Sequence, residues 1–184
     1  MKQLFLTATV ALATLGANAQ SVPDNHIAAP GERIGRVFIG DTRAAVGRRL
    51  GPATKAFNLG RGLTSQMWRS KRVGDTGGYN TLEVVYRNGL ATQVEGTSLV
   101  WNTPSGLSLS SSRADWEDRL GAPTQTTYNY DSGARKRYLD WRRAGIALEL
   151  VQDGDSESNE WTYQTLIVHR KGVAVIPDRG GTRE

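Results

Sequence analysis

A segment that occurs twice constrains the fold more than anything else in this chain. Residues Ile39–Thr54 align without a gap with Leu109–Thr124, at an offset of 70 throughout. Arg43/Arg113, Ala44/Ala114, Arg49/Arg119, Leu50/Leu120, Gly51/Gly121 and Thr54/Thr124 are identical, and Ile39/Leu109, Thr42/Ser112 and Val46/Trp116 keep their character. Self-similarity at a fixed offset marks a duplicated supersecondary unit, so two similar halves are expected.

Each copy reads as a short helix with both ends specified. Thr42 and Ser112 are hydroxyl N-caps able to accept a bond from an orphan backbone N–H, and Asp115 adds the acid of a capping box. One apolar side chain per turn follows, Val46 and Leu50 in the first copy, Trp116 and Leu120 in the second. Gly51 and Gly121 are expected to stop each helix in a left-handed conformation, with Pro52 and Pro123 close behind. Helices this short do not persist alone and must lie on something.

Strand-like runs supply the support. Leu63–Lys71, Thr81–Arg87 and Leu90–Glu95 follow the first helix, the last two flanking Asn88-Gly89, whose residues both accept positive φ in a tight hairpin. Thr124–Tyr130, Ala134–Arg143, Ile146–Gln152 and Trp161–His169 follow the second. The expected fold class is α+β, with two tandem modules, each a short helix packed on an antiparallel sheet. The modules would span 34–97 and 108–177 and be joined by a linker at 98–107. A flexible leader at 20–33 and a flexible tail at 178–184 would flank them.

Met1-Lys2-Gln3, the apolar run Leu4–Leu15 and Gly16-Ala17-Asn18-Ala19 have the layout of a cleavable secretory signal. The run is shorter than the roughly 20 apolar residues of a membrane span. Residues 1–19 are therefore expected to be removed, leaving a mature chain that is periplasmic or extracellular. The sequence has no Cys, which excludes disulfides, thiol catalysis and Cys-based metal sites. Its 23 Lys and Arg exceed 18 Asp and Glu for a net charge of +5, but unevenly. Ten bases and two acids lie between Glu32 and Gly74, whereas Glu149–Glu160 holds five acids and no base. Such a basic stretch is either a solubilising surface or an attraction to an anionic partner.

The segments Ile39–Pro52 and Leu109–Pro123 each open with apolar-x-x-Ser/Thr and close with Leu-Gly and a nearby Pro, with echoes at Trp68 and Trp141. This arrangement resembles the beta-lactamase inhibitory protein-like fold and the related SmpA/OmlA family of small outer-membrane assembly lipoproteins. The resemblance covers roughly Ile34 to Pro177. It implies an extracytoplasmic, non-catalytic protein that binds other proteins or envelope components. The inhibitory proteins carry disulfides, and the lipoproteins carry a lipidated Cys and a single module. Neither activity and no binding residue transfers with the motif.

Little in the sequence points to catalysis. The two His are His26, in the expected leader, and His169, near the end of the last strand. Without Cys or a second placed His, a nucleophile–base pair is hard to assemble, and zinc-ligand spacing is absent. The chain is read as a non-enzyme with no cofactor. Asp153-x-Asp155-x-Glu157 resembles the opening of a calcium loop, but Ser158 replaces the Gly and Gln164 the closing acid. The 153–160 loop therefore reads as a solvated hairpin or a cation site.

Aromatic residues are better candidates for binding. Trp68 shares a strand face with Gln66 and Ser70, and Tyr138 shares one with Lys136, Asp140 and Arg142. Trp161 and Tyr163 point outward if Leu166 and Val168 point inward, and Tyr128 and Tyr130 lie near the basic run Arg135-Lys136-Arg137. Large rings on a polar face suggest a contact surface. Bulges would bury them instead, and Trp68 also matches Trp141, which alternates with Leu139 as a core residue would. The leading reading is an exported binding module that presents a sheet face to a protein or envelope partner. Trp68, Tyr138, Tyr130, Trp161, Tyr163 and Arg142 would form its contact surface. The alternatives are a structural role in envelope assembly, and polyanion or nucleic-acid binding through Arg135-Lys136-Arg137 and Arg142-Arg143. Export argues against nucleic acid.

Overall fold

The repeated segments form the two helices found among the described residues, each eight residues long: α1 (Arg43–Leu50) and α2 (Arg113–Leu120). The computed structural model describes residues 26–70, 80–130, 133–152, 160–177 and 182–183. Thr42 Oγ1 accepts the Ala45 N–H at 3.2 Å, and Ser112 forms a full capping box with Asp115. Gly51 and Gly121 end the helices at φ 74° and 79°. Their ψ angles of −160° and −173° are extended rather than helical, so the stop is not the left-handed turn expected. Each glycine N–H still bonds back into its helix, to Gly47 and Glu117, before the chain leaves in a conformation that only glycine adopts readily.

Strands make up most of the rest. Three of two residues each come first among the described residues: β1 (Ala28–Ala29), β2 (Arg33–Ile34) and β3 (Val37–Phe38). Four follow α1: β4 (Lys55–Gly60), β5 (Leu63–Arg69), β6 (Thr81–Arg87) and β7 (Leu90–Gly96). Four follow α2: β8 (Thr124–Asn129), β9 (Arg135–Trp141), β10 (Ile146–Gln152) and β11 (Thr162–His169). The pair Thr182–Arg183 forms β12. Asn88 and Gly89 turn β6 into β7 at φ 52° and 80°, as a tight hairpin requires.

This corrects the expected fold class. The chain is predominantly β, and its strands do not form two separate sheets under two helices. β7 pairs antiparallel with β11, Gly96 opposite Leu166 and Val94 opposite Val168. One nine-stranded sheet results, ordered β12-β8-β9-β10-β11-β7-β6-β5-β4, beside the small β1-β2-β3 sheet. The physical reason is the strand edge. Separate halves would leave β7 and β11 with rows of unpaired N–H and C=O groups, and pairing them satisfies both rows.

The inner face of the large sheet holds the main core. Val46, Leu50 and Trp116 from the helices meet Trp68, Leu82, Val84, Leu139, Trp141, Leu148 and Leu166 in one cluster that draws on both halves. The small sheet joins the same cluster through Ala28, Ile34 and Val37, all fully buried, although residues up to 33 were expected to be flexible. Backbone bonds from Ala28 N to Asn102 O (2.8 Å) and Gly31 N to Gly145 O (2.9 Å) hold it there. The expected linker is packed as well. Trp101 is fully buried over Gly96, where an added Cβ would stand 2.4 Å from the indole nitrogen.

On the outer face a second, smaller cluster of Tyr138, Ala147 and Ile167 is covered by Tyr128 and Val175. The chain after β11 crosses this face. Ile176 exchanges two backbone hydrogen bonds with the Gln93 amide (2.7 and 2.8 Å), and Thr182 pairs with Asn129 of β8. Among the described residues no helix is long and apolar enough to cross a membrane. The expected signal (1–19) and the acidic segment Asp153–Asn159 lie outside the described residues.

Candidate functional site

The structure separates the six expected contact residues. Trp68 points inward, only 2% exposed, and donates its indole N–H to the Gly51 carbonyl at 3.2 Å. Trp141 does the same to Gly121 at 2.6 Å. These rings seal the helix ends, so Trp68 is not the exposed anchor expected of it. The alternation that set it beside Gln66 and Ser70 was sound, but that face is the one covered by α1. Tyr138 points outward yet is 1% exposed, edge-on to Tyr128 (5.7 Å) and bonded through its hydroxyl to Glu149 at 2.7 Å. Its face is closed by Val175. Neither ring is offered to a partner.

Tyr130, Trp161 and Tyr163 are half-buried near one end of β8–β11. Arg137 and Arg135 lie over the Trp161 ring at 4.0 and 5.7 Å, and Lys136 lies 5.7 Å from the Tyr130 centroid. Burial pushes the Tyr163 phenol above its usual range, opposed by Arg113 and reinforced by Glu117 of α2. Trp161 and Tyr130 are already engaged by cations of the same chain.

Arg142 is different. It lies with Arg143 in the turn between β9 and β10, and both are exposed. The two guanidiniums edge a cavity of about 570 Å³ at the end of the second half. Leu120, Ala122 and Ala144 give it an apolar side, and Thr124 adds an exposed hydroxyl. Arg142 Nε lies 3.4 Å from Asp140 Oδ2, and among the described residues no side chain pairs with Arg143.

Beneath the groove two buried side chains meet, Asp140 Oδ1 lying 3.1 Å from His169 Nε2. Asp140 Oδ2 also accepts the Val175 N–H at 3.2 Å. Burial pushes the Asp140 carboxyl up. The His169 and Val175 hydrogen bonds and the charges of His169 and Arg142 outweigh this and hold it below the usual carboxylate range. His169 is 1% exposed, with Nδ1 against the Arg170 carbonyl at 3.1 Å. In a Ser-His-Asp arrangement the imidazole stands between carboxylate and nucleophile. Here the carboxylate lies nearer the groove and the imidazole is behind it, so the pair fixes the fold of this end and does not reach a substrate. Among the described residues no group of three or more His, Asp or Glu side chains converges as metal ligands would.

Arg142 and Arg143 were visible in the sequence as a basic pair. Thr124 and Leu120 were visible only as members of the repeat, because the cavity is made by loops 20 residues apart coming together. The Asp140–His169 pair carried no sequence signal at all.

No protein-family model matches the chain, and no curated protein matches it. Among solved structures, a cysteine-rich secretory protein from Staphylococcus aureus subsp. aureus Mu50 is similar at 14% identity and a TM-score of 0.47. The match covers 80% of this chain and 51% of that one.

Proposed function

We propose that the mature chain is an exported, non-catalytic binding protein that engages a cell-envelope component through the groove at the end of its second half. The observation that carries this reading is the pairing of an open cavity with two adjacent exposed arginines, Arg142 and Arg143, above the buried Asp140–His169 contact. Guanidiniums recognise and orient ligands; they have no readily lost proton for acid–base work. The secretory layout of residues 1–19 supplies the compartment, and the resemblance of the capped repeats to envelope-associated families agrees with it.

A face-wide contact surface is not part of the proposal. The inner face is filled by the helices and the small sheet, and the outer face of the second half is crossed by the segment around Val175 and Ile176. Nucleic acid is a weaker fit, because tracking a backbone needs a basic groove with open stacking rings. The rings nearest the basic run are half-buried under cations of their own chain.

Two measurements test this reading. Expression of the full chain in a bacterial host should yield an exported product beginning at Gln20 by mass spectrometry; a product retaining Met1 inside the cell would remove the compartment. The purified mature protein should co-sediment with isolated envelope material, and Arg142→Gln/Arg143→Gln should not. Equal sedimentation of both proteins, or of neither, would overturn the assignment to the groove.

A further inference from the structure

We infer that the groove takes a sugar unit bearing one anionic group, a phosphate or a carboxylate, with the anion held by Arg142 and Arg143 and the ring laid along Leu120, Ala122 and Thr124. This rests on the reading of the groove as the binding site and adds the chemistry of its ligand.

The argument starts from charge. Arg142 and Arg143 are adjacent in one turn, so their heads cannot both be neutralised locally without a carboxylate between them. Asp140 meets only the Nε edge of Arg142, at 3.4 Å, and among the described residues nothing pairs with Arg143. The outer nitrogens of Arg142 and the whole head of Arg143 are left as planar donors at the groove edge. Such donors match carboxylate and phosphate oxygens in bidentate fashion.

Size and lining then narrow the class. A cavity of about 570 Å³ is in the range of small-ligand sites and holds more than an inorganic ion. Its apolar side is made of Leu120, Ala122 and Ala144, short side chains set among Arg142, Arg143 and Thr124, a mixed lining that suits a polar ring better than an acyl chain. One hydroxyl, Thr124, stands beside that side, so the wall alternates apolar and hydrogen-bonding character over a short distance. A pyranose ring has the same alternation, C–H faces edged by hydroxyls.

The test is titration calorimetry of the mature protein with four probes: glucose 1-phosphate, glucuronate, glucose and inorganic phosphate. Glucose 1-phosphate and glucuronate should both bind, and glucose and inorganic phosphate each about tenfold or more weaker. Arg142→Gln/Arg143→Gln should weaken the anionic sugars by a similar factor while the protein stays folded, as its circular dichroism and a cooperative melt will show. Thr124→Val should narrow the gap between sugar phosphate and inorganic phosphate. Binding of inorganic phosphate as tight as that of glucose 1-phosphate would overturn the sugar part. No heat with either anionic sugar, or equal binding by the double variant, would overturn the proposal. If envelope sedimentation depends on Arg142 and Arg143 while no anionic sugar binds, the ligand class is wrong and the groove stands. If the sugars bind and the envelope does not sediment the protein, the ligand class stands and the envelope reading falls.

Discussion

Val46 of α1 and Trp116 of α2 hold the same place in the repeated segment, and both are fully buried. The side chains differ greatly in volume, and the two halves fill the difference in different ways. In the second half Trp116 stacks on Trp141 with centroids 5.3 Å apart and planes 25° from parallel. In the first half Trp68 occupies the position under the helix end, and Val46 has no second indole to meet. Both halves nonetheless use the same closing bond, an indole N–H on the helix-terminal glycine carbonyl. A capped helix and its sealing Trp thus tolerate different fillings, and the fuller one lies beside the groove.

The largest way to break this comparison is to empty the second filling. Trp116→Ala should destabilise by about 3–5 kcal/mol, against about 2 kcal/mol for Val46→Ala. Urea unfolding of both variants checks the difference, and equal losses would mean that the stacked pair adds nothing beyond its area.

Gly121 comes next. At φ 79° and ψ −173° it occupies a region that side chains avoid, and nothing lies within 4 Å of an added Cβ. Gly121→Ala should therefore cost about 1–3 kcal/mol from backbone strain alone. Gly51→Ala should cost a similar amount, since its φ of 74° and ψ of −160° are close to the same. Thermal melts that separate the two by more than their scatter would show that the helix ends are not equivalent.

A smaller effect sharpens the comparison in the other direction. The acid of the second capping box, Asp115, corresponds to Ala45 in α1, which is half-buried. Its carboxyl lies below the usual range, mainly because the Ser112 hydroxyl and backbone N–H bond to it. Ala45→Asp should complete the same box on Thr42 and stabilise the first half by about 0.5 kcal/mol. A melt unchanged at neutral pH would show that the Thr42 backbone cannot be reached.

The smallest expected effect is the pH dependence of the second half. Asp140 is held below its unfolded value, so its contribution is complete above an unfolded pKa of about 3.9 and disappears as pH falls through the lower folded value. The melting temperature of the parent protein should drop more steeply below about pH 4 than that of Asp140→Asn. Parallel curves would place the acid-sensitive groups elsewhere.

Much of the secondary structure is legible in the sequence. Thr42 and Ser112 start the helices, Gly51 and Gly121 end them, and Asn88-Gly89 makes its hairpin where expected. β6 and β10 have the expected bounds, and β5, β7, β8, β9 and β11 begin or end within two residues of theirs. What was not legible is what lies on each face. The alternation in β5 set Trp68 opposite Leu63 and Met67, but it could not say which side α1 would cover. Tyr138 was correctly separated from Leu139, and only the later segment around Val175 closes its face. β4 went unseen because it is a short edge strand with little apolar character, and β1–β3 because two-residue strands leave no periodic pattern.

The sequence by itself determined those features whose cause lies within a few residues: a hydroxyl three positions before an amide, a glycine where the backbone leaves the helix, two turn residues that accept positive φ. These are set by short-range sterics and hydrogen bonds and do not depend on the rest of the chain. Tertiary structure alone decided that β7 would pair with β11, that the segment expected to be a leader would enter the core, and that Arg142 and Arg143 would stand beside Thr124 and Leu120. Each of these joins residues far apart in the chain. Their energy comes from satisfying strand edges and burying apolar surface over the whole molecule, a sum that no local window contains.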